Sequence, residues 1–276
     1  MLCACCEEEC TQLTSIYWLE QYMNVCADCK RDYSPKYIQS SVDEKEFKFK
    51  GNHSLFYGVE FELNVKQDED HPTLGMENIC HLEYQLTPFI KNKDILLCWD
   101  RTIVGDGFEV VTSPMNLSYQ LELWKDIFNA IDISLLGNMK ECGVHIHFSK
   151  GNLTTIETDL LLLFLHRNNQ YAYQIGKRQS VYAQLEFIAD IKSLESFKRW
   201  VENSNKEKEI GFNYTPLHTN ELRIFKSTKK LSVLKQYLNW TNDLIHFIKR
   251  YSQLYVMNND LTWLTKENFE CFINLK

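Results

Sequence analysis

The 276-residue chain contains no apolar run long enough to cross a membrane. The longest apolar block, LLLLFL at residues 160–165, makes under two helical turns, whereas a membrane span needs about 20 residues. The acidic, cysteine-rich amino terminus fits no signal peptide. Internal repeats and low-complexity tracts are also missing. From these absences we expect a soluble, cytoplasmic protein that does not contact membranes.

Positive charge is scarce as well. The chain has 30 lysines and arginines against 37 aspartates and glutamates, which gives a formal net charge of −7 at pH 7. This balance argues against binding to nucleic acid. No convincing Ser-His-Asp or Cys-His arrangement for nucleophilic catalysis is present. Hydrophobic residues nevertheless make up 44% of the chain, which is ample for a packed core.

Cysteines are concentrated near the amino terminus. Six of the ten fall in the first 29 residues: Cys3, Cys5, Cys6, Cys10, Cys26 and Cys29. Cys3-x-x-Cys6 and Cys26-x-x-Cys29 have the spacing of a structural zinc site with four thiolate ligands, although Cys5 or Cys10 could replace a member of the first pair. Disulfides or unliganded thiols are the alternative. The scattered cysteines are expected to be small buried hydrophobes: Cys80, Cys98, Cys142 and Cys271.

The hydrophobic pattern predicts both helices and strands. Strands are predicted at 56–65, at 141–150, at 219–227 and as a pair within 96–114. Helices are predicted at 76–90, 118–133, 155–169, 192–203 and 229–250. Because these elements alternate without a regular βαβ rhythm, we predict an α+β fold with a largely antiparallel sheet.

Composition divides the chain into two regions. Residues 1–45 are predicted to form a Zn²⁺ module and a linker, since the polar stretch KRDYSPKYIQSSVDEKEF at 30–47 is typical of a linker or a short peripheral excursion. Residues 46–276 are predicted to form the second, larger domain. A module of this size cannot bury a core of its own, so zinc would hold it together.

The segment ECGVHIHFSK, residues 141–150, places two histidines in an alternating strand pattern. Side chains two apart on a strand share a face, so His145 and His147 should point the same way. The strand leaves three readings open. The histidines could be structural, they could chelate zinc for hydrolysis, or they could belong to a phosphate-binding magnesium site.

Carboxylates recur in the other predicted strands. Glu60 and Glu62 share one face of the first strand, Glu109 lies between two apolar residues, and Glu221 shares a face with Arg223. Solvated sheet faces are the usual explanation for such residues. If the strands share a sheet, however, these groups converge and require cations. Carboxylates outnumber histidines, which favours Mg²⁺ or Mn²⁺, and an arginine beside such metals suits phosphoryl chemistry.

Five ordered segments resemble the amidoligase family, the ATP-dependent carboxylate–amine ligases that are similar to glutamine synthetase and glutamate–cysteine ligase. The segments lie between residues 55 and 250 and read YGVEFEL, DRTIVGDGFEVVTSPM, CGVHIHFS, GKRQSVYAQ and HTNELRIFKST. The resemblance implies a curved antiparallel sheet that forms a funnel, with helices outside and usually two divalent metals inside. The amino-terminal cysteine region lies outside it.

The resemblance also implies roles for individual residues. Metal ligands would be Glu60, Glu62, Glu109, His145 and Glu221. His147 would lie near the nucleotide phosphates, Arg223 would contact phosphate, and Arg178 would grip substrate or phosphate. Asp100 occupies the family's aspartate position, but Arg101-Thr102 follows it where Gly-Ser is common, so Asp100 is assigned no role.

The function implied by the resemblance is ATP-dependent amide formation through an acyl phosphate. ATP, two Mg²⁺ or Mn²⁺ ions and a structural Zn²⁺ would be the cofactors, and the substrates would be a carboxylate and an amine from a small molecule, a peptide or a protein. Two alternatives stay open at this point. One is a zinc-dependent hydrolase that uses His145 and His147, and the other is a non-catalytic binding protein with a vestigial ligase core.

Overall fold

A computed structural model gives the fold of the chain. It describes residues 12, 14–18, 21–25, 35–40, 47–51, 55–68, 71, 74–100, 103, 106–178, 183–186, 188, 193–203, 211–213, 216 and 218–275. The predicted zinc ligands lie outside these residues: Cys3, Cys6, Cys26 and Cys29. The zinc module therefore stays a prediction.

The described residues form both strands and helices. The strands are β1 (Thr14–Trp18), β2 (Gln21–Val25), β3 (Ile38–Gln39), β4 (Tyr57–Asn64), β5 (Ile95–Cys98), β6 (Gly107–Thr112), β7 (Gly143–Ser149), β8 (Phe212–Asn213) and β9 (Thr219–Lys226). The helices are α1 (Leu74–Lys91), α2 (Leu117–Ala130), α3 (Thr155–Arg167), α4 (Asn169–Gly176), α5 (Leu194–Asn203), α6 (Leu231–Asn258) and α7 (Lys266–Asn274). Short 3-10 turns cover Ile133–Leu135 and Lys150–Asn152.

The strands form two sheets. β1 and β2 make an antiparallel pair, and the other strands make a seven-stranded sheet in the order β3-β5-β6-β4-β7-β9-β8. Within this sheet only β3 and β5 run parallel. The predicted α+β class with a largely antiparallel sheet is confirmed.

One face of the large sheet is apolar and is covered by helices. Strands β4 and β7 bury alternate residues there: Val59, Phe61, Leu63, Val144, Ile146 and Phe148. The ring of Phe61 lies 5.1 Å from that of Trp124 on α2. On β9 the pairing with β7 shifts register, and this irregularity lets Phe225 stack on Tyr237 of α6 although Glu221 faces the other way. The hydrophobic core therefore lies on the helical side.

Helix α3 runs through the middle of the helical layer. Residues 160–165, the apolar block of the sequence, are all buried. Phe164 contacts Phe247 of α6 and Phe269 of α7, with ring centroids 5.8 and 5.5 Å apart. The second half of α3 is apolar all round and is therefore buried in the core, whereas Thr155 and Ile156 at its start are exposed. Among the described residues, no helix is long and apolar enough to span a membrane.

Two predicted helices differ from the observed ones. The helix predicted at 155–169 ends at Arg167, and a second helix, α4, follows it. Asn168 separates them, because its side-chain amide bonds the carbonyl of Phe164 and its side-chain oxygen accepts from the backbone of Lys266. The helix predicted to end at 250 continues to Asn258 and stops at Asn259, which has a left-handed backbone with φ of 53°.

The segment before residue 47 is only partly a linker. Ile38–Gln39 form strand β3, which pairs with β5 at one edge of the sheet. The buried carboxylate of Glu83 on α1 accepts the backbone N–H groups of Lys36, Tyr37 and Ile38. Of the two readings, a linker or a short peripheral excursion, this stretch therefore resembles the second, because Glu83 fixes the backbone that leads into an edge strand.

The described cysteines divide by environment. Cys98 and Cys142 are buried, as predicted, and Cys80 is half-buried. Cys271 is exposed, so the expectation that it would be a buried hydrophobe is wrong. Helix α7 buries Phe269 and Phe272 instead, and Cys271 falls on its outer side.

Candidate metal centre

The polar face of the seven-stranded sheet gathers the predicted site residues. Glu60 on β4 lies directly opposite His145 on β7, and His147 lies opposite Glu221 on β9. On the other side of β4, Glu62 lies opposite Glu109 of β6. Side chains paired in this way share a face and approach within about 5 Å at Cβ. The sheet thus brings together residues that are up to 161 positions apart in sequence, Glu60 and Glu221.

Glu60 lies at the centre of this cluster. Its Oε2 is 2.9 Å from His145 Nδ1, and its Oε1 is 3.0 Å from His147 Nε2. Burial alone would raise the pKa of Glu60, but the charge of His147 and the hydrogen bonds from both histidines hold that pKa well below its usual range. Glu60 is therefore ionised, as a metal ligand must be.

Glu221 is held from two directions. The carboxylate is buried, and its Oε1 accepts from Arg223 Nε at 2.6 Å. Its Oε2 accepts from the Asn213 side-chain amide at 2.8 Å. His147 Nε2 lies 3.9 Å from Oε1. Two hydrogen bonds to one carboxylate fix its orientation, which leaves Glu221 preorganised toward the histidines.

Glu62 contacts a buried arginine. Arg178 Nη2 lies 3.3 Å from Glu62 Oε1, and the backbone N–H of Gly143 donates to Oε2. Arg178 Nη1 also lies 2.7 Å from His145 Nε2. Burial alone would raise the pKa of Glu62, but His145, Arg178 and the Gly143 amide lower it. The sequence predicted Arg178 at the site, and the structure places it deep within the cluster.

Glu109 is the carboxylate of the cluster whose negative charge is least compensated by its neighbours. Burial and then the negative charge of Glu60 raise its pKa to about 8; His145 opposes this shift, and Asp100 and Glu62 add smaller increases. Carboxylates gathered this closely repel one another unless a cation or a proton lies between them. The region around Glu109 is therefore electrostatically suited to a cation.

Three groups of side chains place their ligand atoms within 4.8 Å of one another. The groups are Glu60 with His147 and Glu221, Glu60 with Glu109 and His145, and Glu62 with Asp100 and Glu109. Glu60 and Glu109 each belong to two groups. The two histidines fall in different groups, so each group is rich in oxygen. Oxygen-rich sets suit Mg²⁺ or Mn²⁺ better than the histidine-rich sets of catalytic zinc.

Three residues of the cluster were missed from the sequence. Asp100 was noted but assigned no role, and the structure groups it with two carboxylates. Asn213 lies in β8, a two-residue strand that produces no periodic signal. Thr219 places its hydroxyl 3.2 Å from His147 Nδ1. Two of these carried a signal in the sequence: Asp100 through the resemblance, and Thr219 because it lies two residues before Glu221 on the same predicted strand.

Comparison with known proteins adds no relative. No protein-family model matches the chain, and no curated protein matches it.

Proposed function

We propose that this chain is an ATP-dependent carboxylate–amine ligase that uses two divalent metals. The observation that carries the proposal is the set of three overlapping, oxygen-rich ligand groups on one face of one sheet, with Arg178 and Arg223 beside them. The amidoligase-like segments of the sequence supply the same residues in the same order, and they favour a glutamine synthetase-like arrangement of the antiparallel sheet. Sequence resemblance and side-chain geometry thus support one proposal.

The candidate metal ligands fall into two neighbouring positions that share Glu60. Glu60, His147 and Glu221 form the first position, and Glu60, Glu109 and His145 form the second. Glu62 and Asp100 lie beside Glu109 in the third group. Metals bound there would neutralise the triphosphate of ATP. In this arrangement His147 joins a ligand group, whereas the resemblance had implied a place beside the phosphates.

Arg223 is suited to the phosphoryl group that is transferred. Its side chain is 25% exposed, and its Nε is held by Glu221, so the guanidinium is oriented while part of it stays accessible to a substrate. A fixed cation stabilises negative charge that develops during transfer without having to reorganise. Removing such a group typically slows the step by about 10²–10³.

The proposed reaction has two steps. A substrate carboxylate oxygen attacks the terminal phosphorus of ATP, the bond to the bridging oxygen breaks, and ADP leaves. An amine then attacks the acyl carbon, loses a proton and expels inorganic phosphate to give the amide. Neither step needs a nucleophile from the protein, which agrees with a site built from carboxylates, imidazoles and guanidiniums.

The alternatives are less well supported by the geometry. A hydrolase in which His145 and His147 bind one zinc ion would place both histidines in one ligand group, but they fall in different groups. A vestigial, non-catalytic core has no reason to keep buried carboxylates at this density, because each costs free energy unless it is paired. The intact cluster therefore favours the ligase.

An assay of nucleotide products tests the proposed function. Full-length protein with ATP and Mg²⁺ is screened against pooled amino acids, polyamines and peptides, and consumed compounds are identified by mass spectrometry. We expect ADP and phosphate to form together with an amide product. AMP and pyrophosphate would indicate an acyl adenylate and would exclude the proposed mechanism.

We also propose that Cys3, Cys6, Cys26 and Cys29 hold one structural zinc ion per chain. Deletion of residues 1–34 should remove the zinc and leave a folded core.

Deletion of residues 1–45 should destabilise the core by about 1–3 kcal/mol more than the shorter deletion, because it removes β3 and leaves Glu83 buried without its backbone donors. Glu83→Gln should recover part of that loss. Zinc analysis and urea unfolding of the deletion variants check both statements, and full-length protein that holds no zinc would contradict the first.

A further inference from the structure

A cavity of about 360 Å³ lies on the helical side of the sheet. Its walls include Tyr57 at the start of β4, the residues that begin α2 and one side of α6. Tyr57 pairs with Phe148 and faces the helices, whereas Glu60 faces the metal cluster. Ligand pockets in proteins usually enclose about 300–1,000 Å³. The cavity is therefore large enough for a small ligand, and it lies on the opposite side of the sheet from the proposed active site.

Asn116 presents hydrogen-bond donors to this cavity. Only 9% of the residue is exposed. Its Oδ1 accepts from the backbone N–H of Tyr119 and from the hydroxyl of Ser118, and it thereby caps α2. Because a backbone N–H can only donate, these contacts fix which end of the amide is oxygen. In the part of the chain that the structure describes, Asn116 Nδ2 has no acceptor, so its two N–H groups are left for a ligand.

Two residues of α6 also line the cavity with N–H groups to spare. Asn242 Oδ1 accepts from the Tyr57 hydroxyl at 3.0 Å, and its Nδ2 makes one long contact of 3.3 Å with Asp243 Oδ1. Burial, and after it the charge of Asp243, raises the pKa of Tyr57, so this hydroxyl keeps its proton. Lys249 Nζ donates to the side-chain oxygen and the carbonyl of Asn152, at 2.8 and 2.9 Å. Asn242 and Lys249 thus each keep one N–H for a ligand.

This distribution of donors and acceptors selects the chemistry of the ligand. The side-chain oxygens of Asn116, Asn242 and Asn152 are engaged within the protein, whereas N–H groups remain. A partner for those groups must bring acceptors, and next to a lysine a negatively charged acceptor forms the stronger bond. Leu55 and Leu117 supply apolar wall beside the polar groups. The complementary ligand is an oxyanion attached to a small apolar body.

We propose that the cavity binds a small organic molecule through a carboxylate or phosphate group. The oxyanion accepts hydrogen bonds from Asn116 Nδ2, Asn242 Nδ2 and Lys249 Nζ, and the apolar body lies against the two leucines. The site is distinct from the metal cluster, so the inference goes beyond the proposed ligase reaction and does not rest on it.

Asp243 opposes binding of an oxyanion. Its carboxylate contacts Asn242 Nδ2, and its negative charge acts on Tyr57 at the cavity wall. Asp243→Asn removes that charge and should tighten binding by about threefold or more. Lys249→Met removes the positive charge and should weaken binding by about 10-fold or more. The two substitutions on one helix should therefore shift the affinity in opposite directions.

Calorimetric titration of the full-length protein, treated with chelator, tests the proposal. The probes are isovalerate, phenyl phosphate, inorganic phosphate and the neutral isovaleramide. We expect at least one of the two organic anions to bind with a Kd of about 1 mM or tighter, and the tighter of them identifies the preferred head group. Isovaleramide should bind at least about 10-fold more weakly than isovalerate. Equal binding of the amide, binding of inorganic phosphate alone or no binding of any probe would overturn the proposal.

Asn116→Asp locates the bound anion. Aspartate caps a helix as well as asparagine does, so α2 is kept, but two donors are replaced by a charged acceptor. The variant should weaken binding of the organic anions by about 10-fold or more. Asn138→Asp is the matched control, since Asn138 is exposed and its Oδ1 likewise accepts a backbone N–H, from Lys140. The control should bind as the wild type does.

Arg223→Ala separates this cavity from the metal cluster, where an anion could also bind. If that variant loses the probes while Asn116→Asp retains them, the anion binds at the cluster and the proposal is wrong. If Asn116→Asp does not fold in urea titrations, the opposite shifts of Asp243→Asn and Lys249→Met decide the matter, and equal affinities in those two variants would contradict the proposal.

Discussion

The two faces of the seven-stranded sheet are made by the same strands but differ in polarity and in what they contribute to stability. On β7, Val144, Ile146 and Phe148 face the helices and are fully buried. The intervening His145 and His147 face Glu60 and Glu221. One face stabilises the fold by removing apolar surface from water. The other holds repelling carboxylates close together and lowers stability unless something compensates for their charge.

This contrast indicates where stability and function lie in the chain. Substitutions on the apolar face should lower stability and leave metal binding intact, whereas substitutions on the polar face should change metal binding and leave the protein folded. Because successive residues of one strand alternate between the faces, neighbours in sequence provide matched tests. The predictions below use that alternation.

The largest effect is expected on the apolar face. Phe148→Ala removes a fully buried ring next to His147 and should lower the free energy of unfolding by about 3–5 kcal/mol. Urea unfolding measures this loss. Mn²⁺ affinity of the folded protein should stay within about threefold of the wild type, because the ring points away from the ligands. A large loss of affinity at unchanged stability would contradict the division between the faces.

On the polar face, Glu221→Gln should slow ATP turnover by about 10²–10³, which corresponds to about 3–4 kcal/mol in the barrier. Arg223→Ala should have an effect of similar size. Both variants should fold, since neither residue belongs to the apolar core. Glu122→Gln, an exposed residue on α2, is the control for loss of one carboxylate. The prediction fails if turnover falls equally in the control or if Glu221→Gln unfolds the protein.

A smaller effect is expected from Asn213, which donates to Glu221 Oε2 from the edge strand β8. Asn213→Ala should reduce Mn²⁺ affinity by about 10-fold, because it frees the carboxylate to rotate. Calorimetric titration gives the affinity. Asn213→Asp is a stronger perturbation of the same contact, since it places a second negative charge against Glu221. It should reduce stability as well as Mn²⁺ affinity. Unchanged affinity in both variants would mean that Arg223 alone orients Glu221.

The smallest effect concerns the stability that the chain loses by burying carboxylates on the polar face. The pKa of Glu109 is about 8 in the folded chain against 4.5 for an ordinary glutamate, so the folded state holds the proton over a range where the unfolded state loses it. Stability should therefore fall as the pH rises from 4.5 to 8. Glu109→Gln removes this dependence and should raise stability at pH 8 by at least about 1 kcal/mol. Urea unfolding at several pH values, in the presence of chelator, tests the slope. A variant that is less stable than the wild type at pH 8 would contradict it.

Much of the polar face could be predicted from the sequence, because its signal is local. The alternation of Glu60 with Phe61, or of His145 with Ile146, marks both a strand and the face on which each side chain lies. The convergence of four such strands was a hypothesis, and the structure pairs Glu60 with His145, His147 with Glu221 and Glu62 with Glu109 on one sheet.

Other features could not be read from local pattern. The two-residue strand β8, which carries Asn213, is too short to show a period. The buried guanidinium of Arg178 lies against Gly143, which is 35 positions earlier in the chain, and no spacing rule connects them. The split between α3 and α4 depends on Asn168 and its contact with Lys266, which is likewise remote in sequence. These features arise from tertiary contacts.

The proposal that the polar face binds divalent metals is tested most directly by counting Mn²⁺ ions on the full-length protein and on Glu60→Gln. Electron paramagnetic resonance of free Mn²⁺ gives the number bound in the absence of nucleotide. Because Glu60 belongs to two ligand groups, we expect two ions per wild-type chain and the loss of both from Glu60→Gln, with the fold retained. A wild type that binds no Mn²⁺, or a Glu60→Gln variant that binds as many ions as the wild type, would contradict the assignment of this face as a metal centre.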